Sequence, residues 1–161
     1  MYRASRKPRP AFNPLDASAS MARDGWRFND KRSAILYTAE VQSLAMLEVV
    51  SRPGWSTMAE LAIAAIKVPD GSVVSLIDLG LLLPTNWNVR PAGPNARSIG
   101  GEFLKAVDQA AAGGRQICGL RVPSVISTTD CNVLLDPRQQ QKYKVVDWAR
   151  IPFRAPRIIG V

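Results

Sequence analysis

The sequence predicts an α+β fold. Apolar runs of strand length outnumber helical stretches, and they do not alternate one to one with helices as a doubly wound sheet would require. At 161 residues, with 47% hydrophobic and 21% charged residues, the chain can build one complete core but not two. A single domain over residues 1–161 is therefore expected, and no internal repeat or low-complexity tract argues otherwise.

Taken in order, Tyr2-Arg3-Ala4-Ser5 can open the chain as a strand, and Pro8, Pro10 and Pro14 make residues 7–20 a loop. Residues 34–39, with β-branched and aromatic members, read as a short buried strand, after which Thr38 can cap a helix starting near Glu40. Pro53-Gly54 breaks the structure, and residues 61–68 form an apolar strand ending in the turn Pro69-Asp70-Gly71. Another strand begins over residues 73–76. Residues 79–94 mix proline, glycine, asparagine and tryptophan with leucine clusters, an irregular excursion able to shape a rim through Trp87. Residues 96–112 read as a helix with Ile99, Phe103, Leu104 and Val107 inward, closed by Gly113-Gly114. Strands follow over 117–122, stopped by Pro123-Ser124, and 132–135, stopped by Asp136-Pro137. A last strand runs over 143–148 with Ile151-Pro152-Phe153.

One residue breaks the apolar pattern. On the helix after Thr38, the residues Val41, Leu44, Ala45, Glu48 and Val49 fall at the spacing of an inward stripe. Glu48 is the only charged residue between Val41 and Val50, so a carboxylate enters apolar surroundings at a cost of several kcal/mol unless something satisfies it. Arg27 is the candidate partner. Two readings stay open: a structural ion pair, or a helix rotated to let Glu48 reach water, against an active-site carboxylate beside a basic, aromatic loop.

Composition narrows the chemistry. The absence of histidine removes Ser-His-Asp and Cys-His nucleophile pairs together with the commonest metal ligand, leaving Glu, Asp, Arg, Tyr, Ser or Lys. Walker, dinucleotide-binding and zinc signatures are missing, and Cys118 and Cys131 lack a metal-ligand spacing, so no metal is expected. Both cysteines read as buried fillers in a reducing compartment. No apolar run reaches the ~18 residues of a membrane span, because Asp78 interrupts the longest. With no apolar leader at the basic N-terminus, a cytoplasmic protein is expected. The net charge of +8 is concentrated at the ends: residues 1–32 carry eight Lys/Arg against three acids, and residues 138–161 six against one. Nucleic acid, an acidic protein or a phosphate-bearing small molecule would each answer that pattern.

Scattered polar residues at strand ends complete the picture: Arg3, Arg27, Tyr37, Ser124 and Asn132, beside Glu48. Together and in this order they resemble the RES domain, a bacterial family named for its Arg, Glu and Ser and found as the toxin half of toxin–antitoxin pairs. The matching text is Tyr2-Arg3; Gly25-Trp26-Arg27-Phe28-Asn29 against G-G-R-W-N; Leu36-Tyr37-Thr38-Ala39 against v-Y-t-a; and Leu47-Glu48-Val49 against L-E-v. It continues with Arg121-Val122-Pro123-Ser124 against R-V-P-S, and with residues 132–137 against N-v-L-l-N-P. Trp26 replaces the second glycine of the pattern, and Asp136 replaces its asparagine.

The resemblance implies an ADP-ribosyltransferase-like fold, with a central, split, mostly antiparallel sheet and flanking helices, that binds NAD and breaks its nicotinamide–ribose bond. It assigns catalysis to Glu48 and Arg27, and NAD binding to Arg3, Arg27, Tyr37, Ser124 and Asn132. Ser124 could orient either Glu48 or the ligand. ADP-ribose would pass to water, phosphate or a target protein, causing growth arrest. The implied partner is a helix-turn-helix antitoxin of the Xre type within a higher-order complex, with no membrane and no direct nucleic-acid contact by this chain. The basic excess at both ends suggests that this antitoxin occludes the NAD site with an acidic or carboxylate-ended segment reaching towards Arg3 and Arg27. The rival readings are a histidine-free basic toxin that binds or cleaves RNA, and a non-catalytic interaction domain.

Overall fold

The computed structural model describes residues 1–6, 12–22, 25–51, 60–89, 91–127 and 129–152. The apolar runs become strands β1 (Tyr2–Ser5), β2 (Leu36–Ala39), β3 (Glu60–Lys67), β4 (Val73–Ser75), β5 (Gly119–Pro123), β6 (Cys131–Leu135) and β7 (Lys144–Pro152), with helices α1 (Gln42–Val50) and α2 (Pro94–Ala112). The strands form one sheet in the order β4-β5-β6-β2-β1-β3-β7, antiparallel throughout except for the parallel pair β4–β5. The fold is α+β as expected, and the last strand forms as expected too, over the nine residues Lys144–Pro152. The break at Pro53-Gly54 lies outside the described residues.

The sheet is split. β2 and β1 meet at a single register pair, Tyr2↔Ala39, whereas β1–β3 and β2–β6 each pair over four residues. The half holding β5 and β6 carries apolar packing on both faces, to which successive side chains point alternately. Leu120, Val122 and Leu134 pack under Ile99, Phe103 and Val107 of α2, while Val133, Leu135 and Leu36 pack on the opposite side with Ile66 and Tyr143. α1 crosses the other half, setting Leu44 and Ala45 against Ala39 and Val49 against Leu61 and Ile63.

Two expectations about α1 are corrected. Thr38 does not cap it: Thr38 lies inside β2, and its Oγ1 donates to the Val133 carbonyl at 2.8 Å. The β2–β6 ladder continues through Ala39 and on to a bond from Glu40 N to the Cys131 carbonyl, so the backbone is committed to the sheet until Glu40. The helix therefore begins later, behind an extended Val41 that supplies no side-chain cap. In that position Val41 leaves the inward stripe and is 38% exposed. α2 starts with Pro94 in its first turn, where the missing N–H costs nothing, and ends at Gly113, followed by Gly114 at φ 76°.

Candidate active site

A cleft of about 870 Å³ opens at the split between β1 and β2, within the range of small-molecule sites. Arg3 of β1, Tyr37 of β2, Glu48 of α1 and Asn132 of β6 all line it, together with Trp26 and Arg27 from the loop before β2. The lining cations are Arg3, Arg6 and Arg27 against the acids Asp16 and Glu48.

Glu48 reaches this wall because α1 carries it one turn beyond the buried Leu44 and Ala45. Its carboxylate does not pair with Arg27. Oε1 accepts from Asn132 Nδ2 at 2.6 Å and from Ser124 Oγ at 3.1 Å, and Oε2 has no protein donor among the described residues. Two neutral donors thus answer the charge from β6 and from the turn after β5. They do so without a counter-ion that would cancel it in the cleft. Ser124 is buried and its Oγ also accepts from the Ile126 and Ser127 amides, so the hydroxyl is fixed from both sides.

Arg27 is held elsewhere. Its Nη1 donates to the carbonyls of Trp87 and Val89 at 2.7 and 2.9 Å, tying the 79–94 excursion to the cleft. Trp87 turns inward, stacking on Phe28 with ring centroids 6.2 Å apart, so the excursion meets the cleft through its backbone rather than through the indole. Arg3 donates to the Pro14 carbonyl at 2.8 Å and lies 5.9 Å over the Phe12 ring.

The loop bearing Arg27 is fixed by residues that sequence reading passed over. Asn29 is fully buried, and its Nδ2 donates to the carbonyls of Ser20, Asp30 and Ser33 while its Oδ1 accepts from the Tyr37 hydroxyl. Tyr37 in turn accepts from Phe28 N at 3.0 Å. Gly25 takes φ 86°, a conformation that favours glycine, at the start of the turn. Gly100, in the middle of α2, donates its amide to the Phe28 carbonyl at 2.7 Å, an approach that leaves no space for a Cβ. Only Asn29, within the Gly25–Asn29 loop motif, is marked in the sequence; a glycine inside a helix pattern gives no indication of what it touches.

Cys118 is buried as expected, whereas Cys131 is only half-buried; burial, reinforced by nearby Glu40, pushes the Cys131 thiol above its ordinary pKa. Arg121 instead pairs with Glu40 at 2.6 Å, bracing β5 against the turn into α1. Among the described residues no helix is long and apolar enough to cross a membrane.

Comparison with known proteins agrees with this architecture. The sequence model of the RES domain matches residues 1–154, and the chain belongs to the RES domain family. It is 35% identical over 117 residues to "Toxin Res" of Yersinia enterocolitica, covering 72% of this chain and 70% of that one. It is 31% identical over 115 residues to "Prs ADP-ribosylating toxin" of a Sphingobium species, covering 70% and 66%. A chain in the crystal structure of the M. tuberculosis MbcT-MbcA toxin-antitoxin complex superposes with a TM-score of 0.68 at 15% identity, over 94% of this chain and 82% of that one. This last likeness is one of fold.

Proposed function

We propose that this chain is the toxin of a toxin–antitoxin pair and that it consumes NAD, breaking the bond between nicotinamide and ribose. The observation that carries the reading is the Glu48 carboxylate, oriented by Asn132 and Ser124 on the wall of a cleft that also presents Arg3 and Arg27. A relative named as an ADP-ribosylating toxin, and a structural neighbour from a toxin–antitoxin complex, support it.

Cleavage of an N-glycosidic bond sends the bonding electron pair to the pyridinium nitrogen, which becomes neutral, and leaves oxocarbenium-like charge on the ribose. A fixed carboxylate stabilises that charge more than it stabilises the ground state. In this reading Oε1 of Glu48 is spent on orientation and Oε2 faces the ribose. Asn132 acts on the carboxylate, not on NAD. Arg3 and Arg27 supply planar donors for the pyrophosphate, and Tyr37 a ring for stacking. Because nicotinamide departs as a neutral base, its departure needs no general acid, and the missing histidine is no obstacle. ADP-ribose then passes to water, to phosphate or to a side chain of a target protein.

An intracellular NAD consumer needs restraint, and we assign that role to a cognate helix-turn-helix antitoxin of the Xre type. It would occlude the cleft with an acidic or carboxylate-ended segment directed at Arg3 and Arg27. Calorimetric titration of the complex with a non-hydrolysable NAD analogue tests this, and undiminished affinity would exclude occlusion.

The reaction is tested by incubating purified protein with NAD and following nicotinamide by chromatography, with RNA in a parallel tube. Nicotinamide release is expected, and adding phosphate or cell lysate sorts the acceptors. Degraded RNA beside intact NAD, in buffer and in lysate, would overturn the reading.

A further inference from the structure

Trp26 stands beside Arg27, lines the cleft, and replaces a glycine of the motif that this loop resembles. Its ring lies 5.0 Å from that of Tyr37, tilted by 44°. Tyr37 is a fixed neighbour, since its hydroxyl is bonded both to Asn29 Oδ1 and to Phe28 N. The turn itself uses the Trp26 backbone, in an isolated bridge to Asn29. An indole is thus held on a rigid support at the edge of the cleft. Arg27, whose charge would oppose a second cation there, is directed onto the carbonyls of Trp87 and Val89.

We propose that Trp26 makes the cleft selective for the cationic nicotinamide ring of NAD+ over the neutral dihydronicotinamide ring of NADH. The inference rests on the NAD reading above. NAD+ and NADH share every phosphate, ribose and adenine contact and differ in the charge and planarity of one ring. The face of an indole carries the negative end of its quadrupole and attracts a cation better than any other side-chain ring. The attraction ends when the bond breaks and the ring becomes neutral, which favours release of nicotinamide. It acts on the substrate and not on the later oxocarbenium charge, so it lowers KM without raising kcat.

The test compares NAD+, NADH and ADP-ribose by calorimetry in a Glu48→Gln background, where turnover is blocked and the carboxylate no longer favours a cation. Trp26→Leu should reduce the preference for NAD+ over NADH by roughly two- to thirtyfold, the span of a cation–π contact. Trp26→Phe should reduce it less, and ADP-ribose, which lacks the ring, should bind unchanged. With Glu48 restored, Trp26→Leu should raise KM for NAD and leave kcat undiminished. An unchanged preference, or an equal loss for all three ligands, would overturn the proposal. If neither NAD+ nor ADP-ribose binds before Trp26 is altered, the NAD reading has failed, and this inference with it.

Discussion

Asn132 Nδ2 lies 2.6 Å from Glu48 Oε1, a contact between residues 84 positions apart that joins β6 to α1 across the open seam of the sheet. With Ser124 Oγ on the same oxygen, the carboxylate is fixed in direction without being neutralised.

Removing that contact should affect chemistry more than binding. Asn132→Ala is expected to lower kcat for NAD by roughly ten- to a hundredfold with little change in KM, the cost of a misaligned reacting group. Asn132→Asp should be worse, because two carboxylates at this separation cannot both stay ionised. Steady-state kinetics decides it: a raised KM with kcat intact would mean that Asn132 binds NAD directly, as the RES-domain resemblance implies.

Gly100 and Gly101 form a matched pair. A Cβ on Gly100 would collide with the Phe28 carbonyl oxygen and crowd Asn29, while one on Gly101 meets nothing within 4 Å. Gly100→Ala should cost about 1–3 kcal/mol and displace the loop that carries Arg27. Gly101→Ala should be neutral or stabilise by up to ~1 kcal/mol through helix propensity. Thermal unfolding of the two variants measures the contrast, and equal effects would contradict the close approach.

Arg27 has two predicted functions. Arg27→Ala should loosen the excursion bonded through the Trp87 and Val89 carbonyls, and should weaken NAD binding by about 1.5–3 kcal/mol through loss of a charge-assisted contact. Lysine should rescue only part of the binding, lacking the planar fork. Lost stability with untouched NAD affinity in the folded protein would reduce Arg27 to a structural tie.

The loop also carries a pH signature. Hydrogen bonds from the Arg32 backbone and guanidinium hold the Asp30 carboxyl below its ordinary pKa. A depressed folded-state pKa contributes stability that is complete above the unfolded value near 4 and is lost as pH falls through the lower folded value. Asp30→Asn should therefore melt below the parent protein at neutral pH, and the two melting curves should converge under acid. A difference that persists at low pH would assign the effect to something other than the charge.

The sequence was most informative where one residue contradicted its surroundings. Glu48 stood out because a carboxylate interrupted an apolar stripe, and the cleft lies at that point. Its partner was misjudged because charge suggests a counter-charge, whereas the carboxylate is satisfied by an amide and a hydroxyl from strands far along the chain. The start of α1 was misplaced for a similar reason: Thr38 has the chemistry of a cap, but pairing with β6 holds its backbone in the sheet. Asn29 and Gly100 were not recognised as supports of the site, because their value lies in contacts from Ser20 to α2 that no local pattern encodes. Most strand positions were legible, since β2, β3, β5 and β6 are short, mainly apolar segments, several of them bounded by turn residues such as Pro69-Asp70-Gly71, Pro123-Ser124 and Asp136-Pro137.

Glu48 is the residue on which the proposed cleavage of NAD depends most directly. Purified parent protein and Glu48→Gln should be incubated with NAD under the same conditions, with released nicotinamide quantified and thermal unfolding recorded for both. The amide retains the volume of the carboxylate and can still accept from Asn132 and Ser124 through its carbonyl oxygen, so the variant is expected to unfold at the parent temperature while releasing nicotinamide at least a hundredfold more slowly, the order expected when a preorganised electrostatic group is lost. A folded Glu48→Gln that releases nicotinamide at the parental rate would contradict the account and return Glu48 to a structural role.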